Sequence, residues 1–73
     1  GVVREAATHR EVIEAASGFA VQNGFSAVGL DFSPIKGPEG NIEFLMHVRK
    51  CVQPEGLPQR TIEAVVSKAH ESL

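Results

Sequence analysis

The chain reads as an α/β unit in the order helix, strand, strand, helix, with its strands paired as an antiparallel hairpin. Two helical apolar stripes, at residues 12–20 and 62–73, bracket two segments of alternating polarity at 25–32 and 41–50. Only Ser33 to Gly40 separates the alternating segments. A parallel pair needs a crossover of roughly a dozen residues or more, so the short connection selects the antiparallel arrangement.

The first helix is expected to start at Thr8-His9-Arg10-Glu11, which has the spacing of a capping box, Thr8 and Glu11 each satisfying the other's backbone N–H. Val12, Ile13, Ala16, Phe19 and Ala20 then form its buried stripe, Gly18 weakens its middle, and Asn23-Gly24 ends it. In the first strand, Phe25 to Phe32, alternation sets Val28, Leu30 and Phe32 against Ala27, Gly29 and Asp31. The glycine on the small-residue face predicts a close neighbour. The second strand, Asn41 to Lys50, sets Ile42, Phe44, Met46 and Val48 against Glu43, Leu45, His47 and Arg49. After a loop through Pro54, Gly56 and Pro58, the helix Gln59 to Leu73 buries Ile62, Val65, Val66, Ala69 and Leu73, with Arg60, Glu63, Lys68 and Glu71 on its solvated side.

Composition bounds what this unit can do. Its 73 residues suffice for one small domain with a thin core. With 42% apolar and 22% charged residues it has the make-up of a globular chain rather than a disordered tail, and no apolar run approaches the ~20 residues of a membrane helix. A net charge of −2 provides no global attraction to nucleic acid or anionic lipid, so RNA contact requires a local patch. The single cysteine, Cys51, has no partner for an internal disulfide, which points to a reducing, cytoplasmic compartment. There is no signal peptide, and the start at Gly1-Val2-Val3-Arg4 suggests a piece of something longer. A lone two-stranded sheet leaves edges unpaired, so the chain suits the end of a larger sheet, with a homodimer through the exposed edges as the alternative.

The run Gly1-Val2-Val3-Arg4, the helix with His9 near its start, and the stretch Ser33-Pro34-Ile35-Lys36-Gly37-Pro38-Glu39-Gly40-Asn41-Ile42-Glu43-Phe44 together resemble the C-terminal third of the hemolysin-like (TlyA) family of FtsJ-type RNA methyltransferases. The resemblance covers about residues 1 to 50 and is strongest at the turn and the strand after it. It implies that residues 1–73 are the C-terminal portion of a Rossmann-like methyltransferase domain dependent on S-adenosylmethionine. The last two strands of that fold form an antiparallel hairpin at one edge of the sheet, in agreement with the pairing inferred from loop length.

The resemblance also implies a role for Glu43. FtsJ-type ribose methyltransferases use a Lys-Asp-Lys-Glu tetrad to activate a ribose 2′-hydroxyl, and Glu43 falls on its final glutamate. A carboxylate beside lysine ammonium groups holds them in place and tunes which one is neutral. The other three members and the glycine-rich cofactor loop are absent. Gly37-Pro38-Glu39-Gly40 does not replace that loop, because it follows a strand but opens no helix. The intact parent is therefore expected to methylate rRNA, and the isolated chain to be inactive.

Simpler roles compete at each position. Without the resemblance, Glu43 is an exposed strand carboxylate. Lys36 is a solvated turn lysine, or at the sheet rim a contact for an RNA phosphate. His47 shares the face of Glu43 but lies roughly 13 Å along the strand, too far for a direct pair. Cys51 has neither the neighbours of a metal site nor those of a thiol nucleophile, and Ser33 lacks a hydrolase elbow. Two further functions frame the methyltransferase reading: a non-enzymatic module that pairs through its hairpin edge, and the membrane damage suggested by the hemolysin name. The mixed charges beside the stripe of the last helix do not support the latter.

Overall fold

The computed structural model describes residues 5–73 and orders them as α1 (Ala6–Gln22), β1 (Phe25–Phe32), β2 (Phe44–Lys50) and α2 (Gln59–Ser72). The strands pair antiparallel, from Phe25 opposite Lys50 to Phe32 opposite Phe44. Gly1 to Arg4, the first part of the family resemblance, lies outside the described residues. Both helices pack on one face of the hairpin around Ile13, Ile62 and Val66, with Leu30, Phe44 and Met46 of the strands closing against that cluster.

α1 begins earlier than the Thr8 capping box predicts. Glu5 is the extended residue before the first turn and makes no side-chain capping bond, while its carbonyl accepts the His9 N–H at 3.0 Å. Ala6 and Ala7 are strong helix formers and carry the helix past Thr8, which becomes an interior residue. The end matches expectation. Asn23 closes the last turn through its backbone N–H, its side-chain amide donates to the Phe19 carbonyl at 2.8 Å, and Gly24 turns the chain away at φ 83°.

The buried line of α1 is rotated from the expected stripe. His9, Ile13 and Ser17 are buried, one turn apart, whereas Val12 and Phe19 are 56% and 67% exposed. The apolar arc of α1 is wider than the surface the hairpin and α2 can cover, and its Val12–Ala16–Phe19 flank stays outside the core. β1 departs from simple alternation for a different reason. A bulge between Ala27 and Gly29 leaves Val28 without a cross-strand partner, so Ala27 is buried, Leu30 lies against the core and Val28 is exposed. Past the bulge, Gly29 pairs with His47, whose Cβ and ring Cδ2 each lie 3.6 Å from where a Cβ on Gly29 would stand.

β2 starts at Phe44, three residues later than the alternation suggests. The preceding residues close on themselves: Gly37 N–H donates to the Asn41 carbonyl at 2.7 Å, and Gly40, at φ 80°, donates to the Gly37 carbonyl at 3.0 Å. Pairing resumes at Glu43, whose carbonyl accepts the Ser33 N–H at 2.9 Å.

The loop from β2 to α2 covers part of one sheet edge. Ala27 N–H donates to the Glu55 carbonyl at 2.9 Å, and Glu55 N–H donates back to Ser26 Oγ at 2.9 Å. The expectation of two open edges therefore fails along the first half of β1. For β2, β1 is the sole strand partner among the described residues. The loop is also tied to α1, since Leu57 N–H donates to the buried Ser17 Oγ at 2.8 Å. Ser17→Ala would strand that N–H, and the expected loss is about 1–3 kcal/mol of unfolding free energy, read from a urea transition. An unchanged midpoint would show that the loop does not depend on this bond.

Candidate functional site at the hairpin tip

The tip of the hairpin carries both residues singled out from sequence. Lys36 lies before the closed Gly37–Asn41 turn and Glu43 just after it; both are exposed. The turn fixes the path of the chain between them, and the Ser33–Glu43 backbone bond anchors its base. Ile42 and Phe44, the chain neighbours of Glu43, line a cleft, whereas Glu43 does not. The carboxylate is thus held at the rim of the sheet, outside the cleft. A firm backbone with an exposed charged end suits a group that meets a partner from beyond this chain.

The cleft has a volume of about 550 Å³ and lies between α1 and the hairpin. Val12, Ala16, Leu30 and Met46 make most of it apolar, His9 stands in its wall, and Glu39 and Asn41 supply polar groups from the turn. The exposed flank of α1 is one side of it. His47, which shares the solvent face of β2 with Leu45, packs across Gly29 instead and is not part of the cleft.

The structure gives no cradle for a nucleotide cofactor in the glycine-rich turn. Its Gly37 and Gly40 amides are used in bonds within the turn, and the chain continues into a strand, not a helix whose N-terminus could hold phosphate or carboxylate. These residues do not fit S-adenosylmethionine, and no chemical step involving it can be built from them. Among the described residues there is also no group of three metal-ligating side chains, and Cys51 is free and exposed.

One pair was not legible as such in the sequence. His9 Nδ1 and His70 Nε2 lie 2.8 Å apart, joining α1 to α2, and the His9 ring meets Phe44 edge-on with centroids 5.1 Å apart. The available signal was periodicity. His9 continues the line of Ile13 and Ser17 at four-residue spacing, and His70 does the same for Ile62 and Val66.

An α/β hairpin carrying two helices on one face, with a charged tip and an edge of β2 left open among the described residues, is the class that the fold defines. Comparison with known proteins finds the same segment within longer chains. A Bacillus subtilis (strain 168) protein named "Putative rRNA methyltransferase YqxC" is 38% identical over 76 aligned residues, covering 100% of this chain and 27% of its own length. Two solved structures share the fold. The "Putative hemolysin from Streptococcus thermophilus" superimposes with a TM-score of 0.91 at 48% identity, over 97% of this chain and 26% of that one. A putative hemolysin from Lactococcus lactis gives 0.81 at 45% identity, over 92% and 32%. The chain thus spans about a quarter to a third of the length of these relatives. No family model matches it. No helix among the described residues is long and apolar enough to cross a membrane.

Proposed function

We propose that this chain is the C-terminal part of a Rossmann-like rRNA ribose 2′-O-methyltransferase of the hemolysin-like (TlyA), FtsJ-type family, acting in the cytoplasm. The observation that carries this reading is the alignment of the whole chain with the protein named "Putative rRNA methyltransferase YqxC". Glu43 serves as the carboxylate that orients lysine ammonium groups supplied by the rest of the enzyme, and Lys36 contacts an RNA phosphate as a point charge. S-adenosylmethionine supplies the methyl group and is bound by residues outside these 73. The exposed Val12–Ala16–Phe19 flank, the cleft and the open edge of β2 form the seam where that remainder packs, which extends the two-stranded sheet.

The test uses the longer protein containing this segment and the 73-residue chain in parallel. The longer protein is expected to transfer a labelled methyl group from S-adenosylmethionine to rRNA, with the label recovered as a 2′-O-methyl nucleoside. The short chain is expected to give no calorimetric signal with S-adenosylmethionine. Label on a base would overturn the ribose assignment, and micromolar binding by the short chain would overturn the division of the site.

The edge of β2 that is open among the described residues supports a second reading, a non-enzymatic module that pairs with another strand or with a second copy of itself. Sedimentation of the isolated chain separates the two. A stable dimer whose disruption abolishes a partner complex favours the module; a monomer favours the seam.

A further inference from the structure

The two edges of the hairpin are built differently. β2 runs from Phe44 to Lys50 without a proline, a glycine or an extra residue, and β1 is its sole strand partner among the described residues. β1 instead carries several of the features by which natural sheets close an edge. Val28 bulges the strand. At its far end the Asp31 carboxylate accepts the Phe32 N–H at 2.8 Å, and at its start the segment 51–58, on the way from β2 to α2, lies along it.

The hydrogen bonds show which side of β1 is closed. Cys51 N–H donates to the Gly24 carbonyl at 2.9 Å at the base of the hairpin, and Ser33 N–H donates to the Glu43 carbonyl at its tip. Counting by alternation from either end turns the N–H groups of Ala27 and Phe32 away from β2, onto the outer edge. Both are occupied, Ala27 by the Glu55 carbonyl at 2.9 Å and Phe32 by Asp31. Cys51 thus still belongs to the inner ladder while Glu55 already stands on the outer edge, so the segment passes around the start of β1.

The segment is fastened where it lies. Glu55 N–H donates to Ser26 Oγ at 2.9 Å, and Leu57 N–H to the buried Ser17 Oγ of α1 at 2.8 Å. A Cβ on Gly56 would stand 2.9 Å from the same Ser17 oxygen and 3.7 Å from Val21 Cγ2, so a glycine is what lets the segment lie this close to α1. Pro54 and Pro58 flank the contact and have no N–H, which stops it from lengthening into a strand. The segment therefore fills an edge without offering a new one.

We propose that segment 51–58 is an edge guard: it keeps the outer side of β1 shut, so that any added strand joins the sheet at β2 alone. This holds whether that strand comes from the rest of a methyltransferase or from another chain. Its consequence is a limit on assembly. Copies with one open edge can pair once, edge to edge, and the pair has no edge left; copies with two open edges add on either side and grow without closing. When the guard is released, the occupant of the β1 edge is a second copy of the chain, whose β2, at 7 residues, matches the 8 of β1 in length.

The experiment pairs sedimentation velocity of the 73-residue chain over a range of concentrations with amide hydrogen exchange followed by NMR. The wild type should form nothing larger than a dimer and should protect the Ala27 amide. In Ser26→Ala/Gly56→Ala, which removes one fastening and crowds another, Ala27 exchange should rise about tenfold or more, the scale of a lost hydrogen bond, while the Val66 amide in the core of α2 stays protected. That variant should sediment as species beyond a dimer that grow with concentration. Val52→Ala, in the same segment but 98% exposed, should behave as the wild type. A wild-type Ala27 amide that exchanges as fast as an unbonded one overturns the guard, as does a wild type that grows beyond a dimer. So does a variant with Ala27 opened and Val66 protected that stays at a dimer or below. If Val66 loses protection in the double variant, Ser26→Ala alone takes its place; if that variant also unfolds, the size of the wild type and the protection of its Ala27 amide decide the matter.

Discussion

Ile62→Ala is expected to cost the chain about 2–5 kcal/mol, the range for removing the larger part of a buried aliphatic side chain. Ile62 is 1% exposed and, with Val66 at 0%, is one of the two largest fully buried side chains among the described residues. It sits where α2 meets Ile13 of α1, with Leu30, Phe44 and Met46 of the hairpin packed around the cluster. Truncation therefore opens a void in a cluster to which all four elements contribute, and a sheet of two strands has little capacity to collapse into it. A domain of this size has a total stability of roughly 4–10 kcal/mol, so the loss consumes a large share of it. The melting temperature should drop by at least about 10 °C, and the urea midpoint should fall without a change in slope. Val52→Ala, at a position 98% exposed, is the control and should stay within about 0.5 kcal/mol of the wild type. Equal stability of the two variants would mean that the helices do not share this core.

The sequence makes that core legible on α2 but only partly on α1. In α2 polar residues bound the apolar stripe closely, so periodicity alone finds Ile62, Val66 and Ala69. α1 has apolar or small residues around most of its girth, and periodicity cannot say which part of a wide arc faces inward. The rotation is set by tertiary partners: Leu57 N–H needs Ser17, His70 needs His9, and both polar side chains are buried in consequence. The bulge at Val28 is hidden for a related reason. Alternation assumes one residue opposite one residue, and no local pattern in Phe25 to Phe32 announces the extra one. The hairpin itself follows from loop length, because chain reach is a local constraint. At the tip, Glu43 and Lys36 lie where an alternating segment meets a glycine turn, and the structure keeps both exposed. Their chemistry is not legible from these 73 residues; under the proposed function, the groups they act with lie outside them.

That chemistry gives the second large expected effect. In the longer protein carrying this segment, Glu43→Gln should lower the turnover number for rRNA methylation by about 10²-fold or more, the usual contribution of a group that sets the protonation of a catalytic base. Glutamine keeps the shape and the hydrogen-bonding oxygen but removes the charge that would hold a lysine ammonium. The defect should therefore appear in turnover, with the Michaelis constant for S-adenosylmethionine little changed. Folding should be unaffected to within about 0.5 kcal/mol, because the side chain is exposed and the anchor at this position is the backbone bond from Ser33 N–H to the Glu43 carbonyl, which the substitution leaves in place. Lys36→Ala provides the contrast from the other side of the turn. Loss of one phosphate contact should weaken RNA binding similarly for all sequences and flatten its logarithmic salt dependence by about one unit, while turnover at saturating RNA is preserved. The two variants thus separate charge used in chemistry from charge used in docking. Glu43→Gln retaining activity within about threefold would remove Glu43 from the mechanism. A turnover defect in Lys36→Ala equal to that of Glu43→Gln would show that the tip acts as one structural unit rather than through two separately acting charges.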